Sequence, residues 1–413
     1  MKFLNPRLFI VSLLFYCVSC GPGSETKTST ATLHLVAAQG TYAYDANFLK
    51  QHTKKILELH DKDNRSKILL SADYQGRVMT STATGDTGAS YGWINYNLIS
   101  SKQKKPQFNP VGGEERFWMG PEGGQYSIYF KGGDSFSIVN WQVPGIIDTV
   151  PYDVVQADDS HAVFSKTATL TNYSGTTFNI AIQRSVNMLG KNTIAQRLNV
   201  TIPDNVHCVG YESNNQIKNI GNEDWKKEKG LLSIWLLGMM TPTNQTTVII
   251  PFKPLPNARS LITTNYFGNI APELLRIQDS VLFYLCDGKA RGKIGLSPLV
   301  AKSIAASFDF DRNVLTLIFF PIDKNGLYVN SKWELQKEPY KGDVVNAYND
   351  GPLPTGVQLG PFYEIESSSA AKELKRGETE EYVQTTCHLQ GDYESLRRLA
   401  KQLLGVDLNY LKR

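Results

Sequence analysis

The sequence predicts a mainly β protein: one large antiparallel sandwich with a short helix near each end. Short runs of β-branched and aromatic residues recur from Lys67 to about Cys387, separated by turn signals, with little helical periodicity between them. Aromatic residues make up 11% of the chain, with many Tyr, Thr and Asn, a composition suited to pleated, half-buried surfaces. A chain of 413 residues can bury a large core, and a sandwich of this length commonly folds as one domain.

In chain order, Lys2 and Arg7 form a basic segment ahead of an apolar run, Leu8 to Val18, of 11 residues. That run is too short to span a bilayer as a helix and reads as the core of a signal peptide over residues 1–19. It ends in YCVSC followed by GPGS. A plain secretory signal cut near Ser19 or Gly21 is the alternative reading of the same residues. Residues 20–40, which hold the small, polar GPGSETKTSTAT from Gly21 to Thr32, read as a flexible tether. Residues 41–413 are expected to form the single β domain. Within it Asp45 is placed to cap a helix over ANFLKQHTKKILELH. The segments SKILLSADYQGRVMTSTATG, QYSIYFKGGDSFSIVNW, HAVFSKTATLTNYSGTTFNIAIQRSVNM, SVLFYLCDG and NVLTLIFFPIDKNGLYVNSKWEL are expected to be strands, with KGGD, YSGT, KNGL and NDGP as hairpin or tight turns. At the far end Leu396, Leu399, Ala400, Leu403 and Leu404 form a helical stripe, stopped by Gly405.

Composition narrows the partners. The net charge is +4 with 20% charged residues, mixed along the chain, and no basic patch alternates with aromatics, which argues against nucleic acid. Beyond the signal, Cys208, Cys286 and Cys387 are too few and too odd in number for a disulfide framework, and Cys286 lies in an apolar run. No zinc spacing occurs, and no cofactor is expected. Asp309 with Asp311, and Asp158 with Asp159, are oxygen pairs of the kind calcium uses, but acidic loop residues are ordinarily just solvated, so no metal site is assigned. Nothing in the sequence sets the oligomeric state.

Two segments combine charge with aromatics. GGEERFWMGPEGGQYSIYF, Gly112 to Phe130, brings glycines, Arg116, Glu122 and several rings together. Arg116 and Trp118 alternate with Phe117 and Met119, as on a strand with two different faces. Arg116 offers a planar fork of donors for vicinal hydroxyls or a carboxylate. Trp118, Tyr126 and Trp141 suit stacking on a sugar ring, whose C–H faces are apolar and whose edges are polar. In the second segment, FYEIE, Glu364 and Glu366 share one strand face. Burial raises the pKa of such a carboxyl and suits it to proton transfer, whereas Glu366 reads more simply as solvated. Lys293, in ARGKIG, is placed to contact a ligand acid or hydroxyl, or else to be a surface lysine. Trp225, in GNEDWKKEKG, reads as an exposed loop aromatic.

The N-terminal YCVSC resembles the lipobox of bacterial lipoproteins, with Cys17 where that family usually has Leu. The resemblance implies lipid on Cys20, a membrane partner through that anchor, and, with Gly21 and no acidic residue next to the cysteine, the outer membrane of a bacterial envelope. The two charged segments, with GYESNNQIKNIGNEDWKKEKGLLSIWLLGMM and KARGKIGLSP, resemble an uncharacterised family of bacterial envelope lipoproteins with a galactose-mutarotase-like β-supersandwich, over roughly Gly112 to Asp392. The resemblance implies a carbohydrate ligand held by Arg116, Trp118, Glu122 and Lys293. In the wider mutarotase superfamily the base is a Glu on a late strand, the place Glu364 takes. The acid is a His in an Asn-His pair, and in the comparable stretch, Ser213 to Ile217, Gln216 stands there. Gln cannot donate a proton from a charged form. His161, His207 and His388 are the other histidines of the β region. The reading is a membrane-anchored sugar-binding protein, with an aldose epimerase or related proton-transfer enzyme using Glu364 as the alternative.

Overall fold

Residues 37–353 and 355–411 are described in the computed structural model of the protein. The signal peptide, Cys20 and the tether through residue 36 lie outside the described residues. The chain runs α1 (Tyr42–His52), β1 (Ile56–His60), β2 (Lys67–Ser71), β3 (Arg77–Thr82), α2 (Tyr96–Ser101), β4 (Arg116–Gly120), α3 (Gly145–Asp148) and β5 (Asp153–Ala157). There follow β6 (His161–Thr171), β7 (Thr177–Leu189), α4 (Lys191–Leu198), β8 (Val206–Asn219), β9 (Ser233–Met240), β10 (Thr246–Pro251), β11 (Ile262–Thr263) and β12 (Leu275–Gln278). The last part holds β13 (Val281–Leu285), β14 (Gly292–Leu296), β15 (Ile304–Asp309), β16 (Val314–Phe319), β17 (Val345–Asn349), β18 (Tyr363–Ser368), β19 (Thr379–Gly391) and α5 (Tyr393–Leu404).

These strands make three antiparallel sheets. A ten-stranded sheet has the order β12-β13-β10-β15-β16-β19-β8-β7-β6-β5, and a six-stranded sheet has the order β11-β14-β17-β18-β9-β4. A three-stranded sheet, β1-β2-β3, joins α1 and α2 around Tyr42, Leu49, Met79, Ile94 and Leu98. Strand alternation decides what each face does. Phe117, Ile234, Leu236, Ala347 and Ile365 on the six-stranded sheet share one core with Tyr211, Val248, Ile318 and Tyr382 on the ten-stranded sheet. Hydrogen bonds cross that core, among them one between Tyr363 Oη and Ser307 Oγ at 2.8 Å and one from Ser367 Oγ to Gln384 Oε1 at 2.6 Å. The other face of the ten-stranded sheet carries Ile249, Phe308, Leu317 and Leu389 and is covered by α4 and α5. The expected C-terminal stripe is what α5 buries, through Leu396, Leu399, Ala400 and Leu404. Each buried Leu there contributes roughly 1.5–3 kcal/mol. Asp392 caps the helix by accepting from Ser395 N at 3.0 Å, and Gly405 ends it at φ 73°.

Several local expectations are corrected. The N-terminal helix is capped by Thr41, runs Tyr42–His52 and stops there, and ILELH is strand β1. Its apolar residues satisfy a strand against β2 better than a fourth helical turn. Asp45 is inside the helix, where its carboxylate accepts from Ser90 Oγ at 2.5 Å and from Tyr96. QYSIYFKGGDSFSIVNW forms no strand; its rings pack as loop anchors against the core. Of the turn tetrapeptides, YSGT joins a hairpin, β6–β7, and the other three sit in loops. Trp225 is buried, edge-on to Phe178 at 5.2 Å. Cys208, Cys286 and Cys387 are buried and free. Gly112, at φ +99°, leaves no room for a Cβ beside the Trp93 carbonyl. The close approach it permits is therefore to the protein's own backbone.

Candidate functional site

The face of the six-stranded sheet turned away from the core is polar. Its registers pair Arg116 with Leu237, Leu237 with Glu366, and Glu366 with Asn346. A parallel row pairs Met239 with Glu364, Glu364 with Tyr348, and Tyr348 with Lys293. Trp118 lies opposite Trp235 on the same face. Four strands distant in sequence thus deliver Arg116, Trp118, Trp235, Lys293, Glu364 and Glu366 to one surface.

Two ion pairs form its floor. Arg116 Nη2 donates to Glu364 Oε1 at 2.5 Å, and Lys293 Nζ donates to Glu366 Oε2 at 2.8 Å. Trp235 Nε1 donates to the same Glu366 oxygen at 3.0 Å. The Arg116 guanidinium stands 4.6 Å from the Trp118 ring centre, and the Lys293 ammonium 4.9 Å from that of Trp235. Arg116 is 2% exposed and Glu366 is fully buried. Even so, Arg116 Nε and Nη1, Glu366 Oε1 and Trp118 Nε1 have no hydrogen-bond partner. An unmet buried polar group costs about 1–3 kcal/mol, so several of them on one face make it the place where an added polar partner would stabilise most.

The rim is built from loops. Trp141 stacks on Trp333 at 5.9 Å, and Phe108 stands edge-on to Trp118 at 5.4 Å. Tyr266 donates its hydroxyl to Asp343. Tyr348 Oη donates to Asp350 Oδ1 at 2.5 Å and receives Arg291 Nε at 3.3 Å. The exposed Phe267 ring lies 4.0 Å from the Arg291 guanidinium. Arg116, Glu364 and Glu366 are buried, while Glu122, Lys293, Trp141, Trp333, Tyr266 and Asp343 are half-buried.

Burial shapes the acidity. Glu364 is raised well above the ordinary carboxylate range by burial, which outweighs the opposing pull of Arg116. Burial pushes Glu122 up to about 7, against the lowering effect of Lys293 and of the Trp141 and Trp333 indoles. Asp343 is pushed up to about 6 by burial, against the hydrogen bond from Tyr266. For Lys293 burial acts downward, but Glu366, Glu122 and Glu364 together outweigh it and hold the amine above its usual value. The site can therefore offer neutral carboxyls and a firmly charged ammonium near pH 7.

The structure gathers Arg116, Trp118, Lys293 and Glu364 on this face, with Glu122 at its rim in electrostatic reach of Lys293 and Glu366. Trp118 is buried among rings, so Trp141 and Trp333 are the accessible platform. Tyr126 is elsewhere, stacked on Tyr340 with its hydroxyl on Glu228 O at 3.0 Å. Glu366 is not a solvated strand residue but the most enclosed acid of the floor. Gln216 lies on β8 of the ten-stranded sheet and donates to Glu381 Oε2 at 2.9 Å, so that stretch sends no side chain here. His161 and His207 are on the same other sheet, and His388 is buried against Glu114 at 3.3 Å and Thr316 at 2.9 Å. Asp309 is used up by the turn it caps, accepting from Arg312 Nε at 2.5 Å and Thr243 Oγ1 at 2.8 Å. Asp158 caps its own turn through Ser160 N at 2.8 Å, and Asp159 is exposed. Among the described residues no group of His, Cys, Asp and Glu is placed to hold a metal. Trp235, Tyr266, Trp333 and Asp343 were not anticipated. Trp235 reads as one more apolar residue of SIWLLGMM, and only the cross-strand register puts its indole beside Glu366.

Two open clefts lie away from this face. One of about 540 Å³ is lined by Asp45, Trp93, Asn244, Asp311 and Arg312, the other, of about 390 Å³, by Arg259, Leu275 and Arg276. Neither contains the paired acids and bases described above.

The chain is mainly β, and its structural neighbours include galactose mutarotase-like proteins. It is similar to the Slr1438 protein from Synechocystis sp. PCC 6803 over 83% of this chain and 98% of that one, with a TM-score of 0.50 and 11% identity. A putative aldose 1-epimerase from Escherichia coli K12 is similar over 82% and 99% of the two chains, with a TM-score of 0.47 and 10% identity. A galactose mutarotase-like protein from Lactobacillus casei ATCC 334 is similar over 81% and 100%, with a TM-score of 0.47 and 11% identity. At these identities the likeness is one of fold. The chain belongs to the family of unknown function DUF6786, which matches residues 40–413. No curated protein matches it.

Proposed function

We propose that the protein binds a carbohydrate on the polar face of its six-stranded sheet. The observation that carries this is the floor of paired Arg116–Glu364 and Lys293–Glu366, which keeps unpartnered donors and an acceptor, under a rim of half-buried tryptophans. Sugars present just such a combination of hydroxyl donors and acceptors on an apolar ring. A panel of monosaccharides read by thermal shift tests it. A ligand at a hundredfold excess over its dissociation constant stabilises by about 2.7 kcal/mol. Arg116→Met and Trp141→Ala should each remove the shift, and a panel that shifts nothing overturns the reading.

Proton transfer to and from a bound sugar is the second reading, favoured by the raised pKa of Glu364. None of the histidines named from the sequence reaches this face to serve as acid, so weak or no turnover of freshly dissolved α-glucose or α-galactose is expected by polarimetry. Ordinary enzymatic turnover abolished by Glu364→Gln would replace binding with catalysis as the function. The chain is further proposed to be held at the bacterial outer membrane by lipid on Cys20. Cys20→Ala should leave it unprocessed or release it, and a variant that fractionates as wild type does would rule the anchor out.

A further inference from the structure

The site carries more acid than base. Its inward cations, Arg116 and Lys293, are each paired, with Glu364 and Glu366. Glu122 and Asp343 come in addition, and the polar groups closest to them are mainly aromatic: the Trp141 and Trp333 indoles lie near the first, and the Tyr266 phenol donates to the second. Lys293 stands within electrostatic reach of all of these carboxyls and neutralises one charge. The other charged groups nearby do not redress the balance. Lys332, near Asp343, is exposed; Arg291 is exposed and engaged with Tyr348 and Phe267, and Asp350 takes the Tyr348 hydroxyl. A separate observation points the same way. Glu366 is fully buried, Lys293 and Trp235 both donate to its Oε2, and its Oε1 receives nothing. An acceptor left open amid surplus carboxyls calls for a donor that brings positive charge.

We propose that the ligand is a sugar bearing a protonated amine, whose ammonium is met by Glu366 and by the rim carboxyls of Glu122 and Asp343. This rests on the carbohydrate reading and narrows it to aminosugars. The ring stacks at Trp141 and Trp333, and the amine points toward the floor. A uronic acid is disfavoured, because its carboxylate would join a face where Glu364, Glu366, Glu122 and Asp343 already outnumber Arg116 and Lys293. An arriving cation also favours ionised carboxyls, so binding expels protons from groups that burial keeps partly neutral near pH 7.

The test is titration calorimetry of the full-length protein with glucosamine, galactosamine, their N-acetyl forms, glucose, galactose and glucuronate. It is run at pH 6.5 in two buffers of different ionisation enthalpy. The expected result is that a free aminosugar binds at least about tenfold tighter than its neutral counterparts, the scale of one charge-assisted hydrogen bond, and releases protons. Glu122→Gln with Asp343→Asn, both near-isosteric, should shrink the amine-to-neutral ratio severalfold and abolish the release. Glucose or an N-acetyl sugar binding as tightly as the amine, or glucuronate binding tightest, overturns this inference and leaves the carbohydrate reading standing. An unchanged ratio in the double variant overturns the assignment of the carboxyls. No binding by any sugar overturns both.

Discussion

Glu115 and Arg116 are neighbours in the chain but belong to different buried ion pairs. Glu115 points into the core between the large sheets, where Oε1 receives Arg184 Nη2 at 2.7 Å and Oε2 receives Gln384 Nε2 at 2.7 Å. Arg184 uses every nitrogen, with Nε on Gly76 O at 3.0 Å and Nη1 on Asn215 Oδ1 at 2.5 Å. Arg116 points to the opposite face, meets Glu364 through one nitrogen, and keeps the other two unpartnered though just as buried. The contrast separates two uses of the same chemistry. A saturated pair has nothing left to offer and holds the sheets in register. An unsaturated pair accepts a standing cost in stability, which the proposed ligand would relieve.

The largest test of that contrast is Arg184→Met against Arg116→Met. Removing Arg184 strands Glu115 in the core, and the expected loss is about 3–5 kcal/mol in urea unfolding. Removing Arg116 should cost less, about 1–3 kcal/mol, because Glu364 is already inclined to take a proton, while sugar binding is lost. Equal stability losses would collapse the distinction. The pH dependence sharpens it. Glu122 sits at about 7 in the folded protein against an ordinary 4.5, so between those values the unfolded chain ionises while the folded one holds its proton. Stability from this group should therefore fall as pH rises from about 4.5 to about 7 and level off above. Glu122→Gln should flatten that fall in denaturant midpoints, and an unchanged slope would mean that Glu122 is not the group responsible. The smallest effect is expected from Gly295→Ala on β14. The added methyl would press on the Asp343 carboxylate and on Asn346 Nδ2, both ends of side chains that can move. Stability should change by under about 1 kcal/mol, while ligand affinity falls severalfold; an unaltered affinity would remove Asp343 from the site.

Part of this was legible beforehand. The period-two alternation of RFWMG separated Arg116 and Trp118 from Phe117 and Met119, and that of FYEIE put Glu364 and Glu366 together, because side-chain direction along a strand follows from backbone geometry alone. The C-terminal stripe and its Gly405 stop were equally plain, since cap and periodicity are local. ILELH was not. Its apolar spacing fits either a helix or a strand, and its pairing with β2 decided the matter. Nor was the burial of Glu366, because FYEIE has the same sequence whether its polar face meets water or Lys293 and Trp235.

What the sequence by itself determined was therefore the mainly β class, the direction of side chains within each strand, and which segments combine charge with rings. What only the tertiary structure decided was partnership. Arg116 meets Glu364 across 248 positions of sequence, with β9 lying between their strands in the sheet. The Gln216 stretch goes to the other sheet and Trp235 comes to this one. The reason is physical. Alternation is a property of one chain segment, whereas strand order and register are set by which apolar faces the whole chain can bury at once, and the ion pairs follow from that choice.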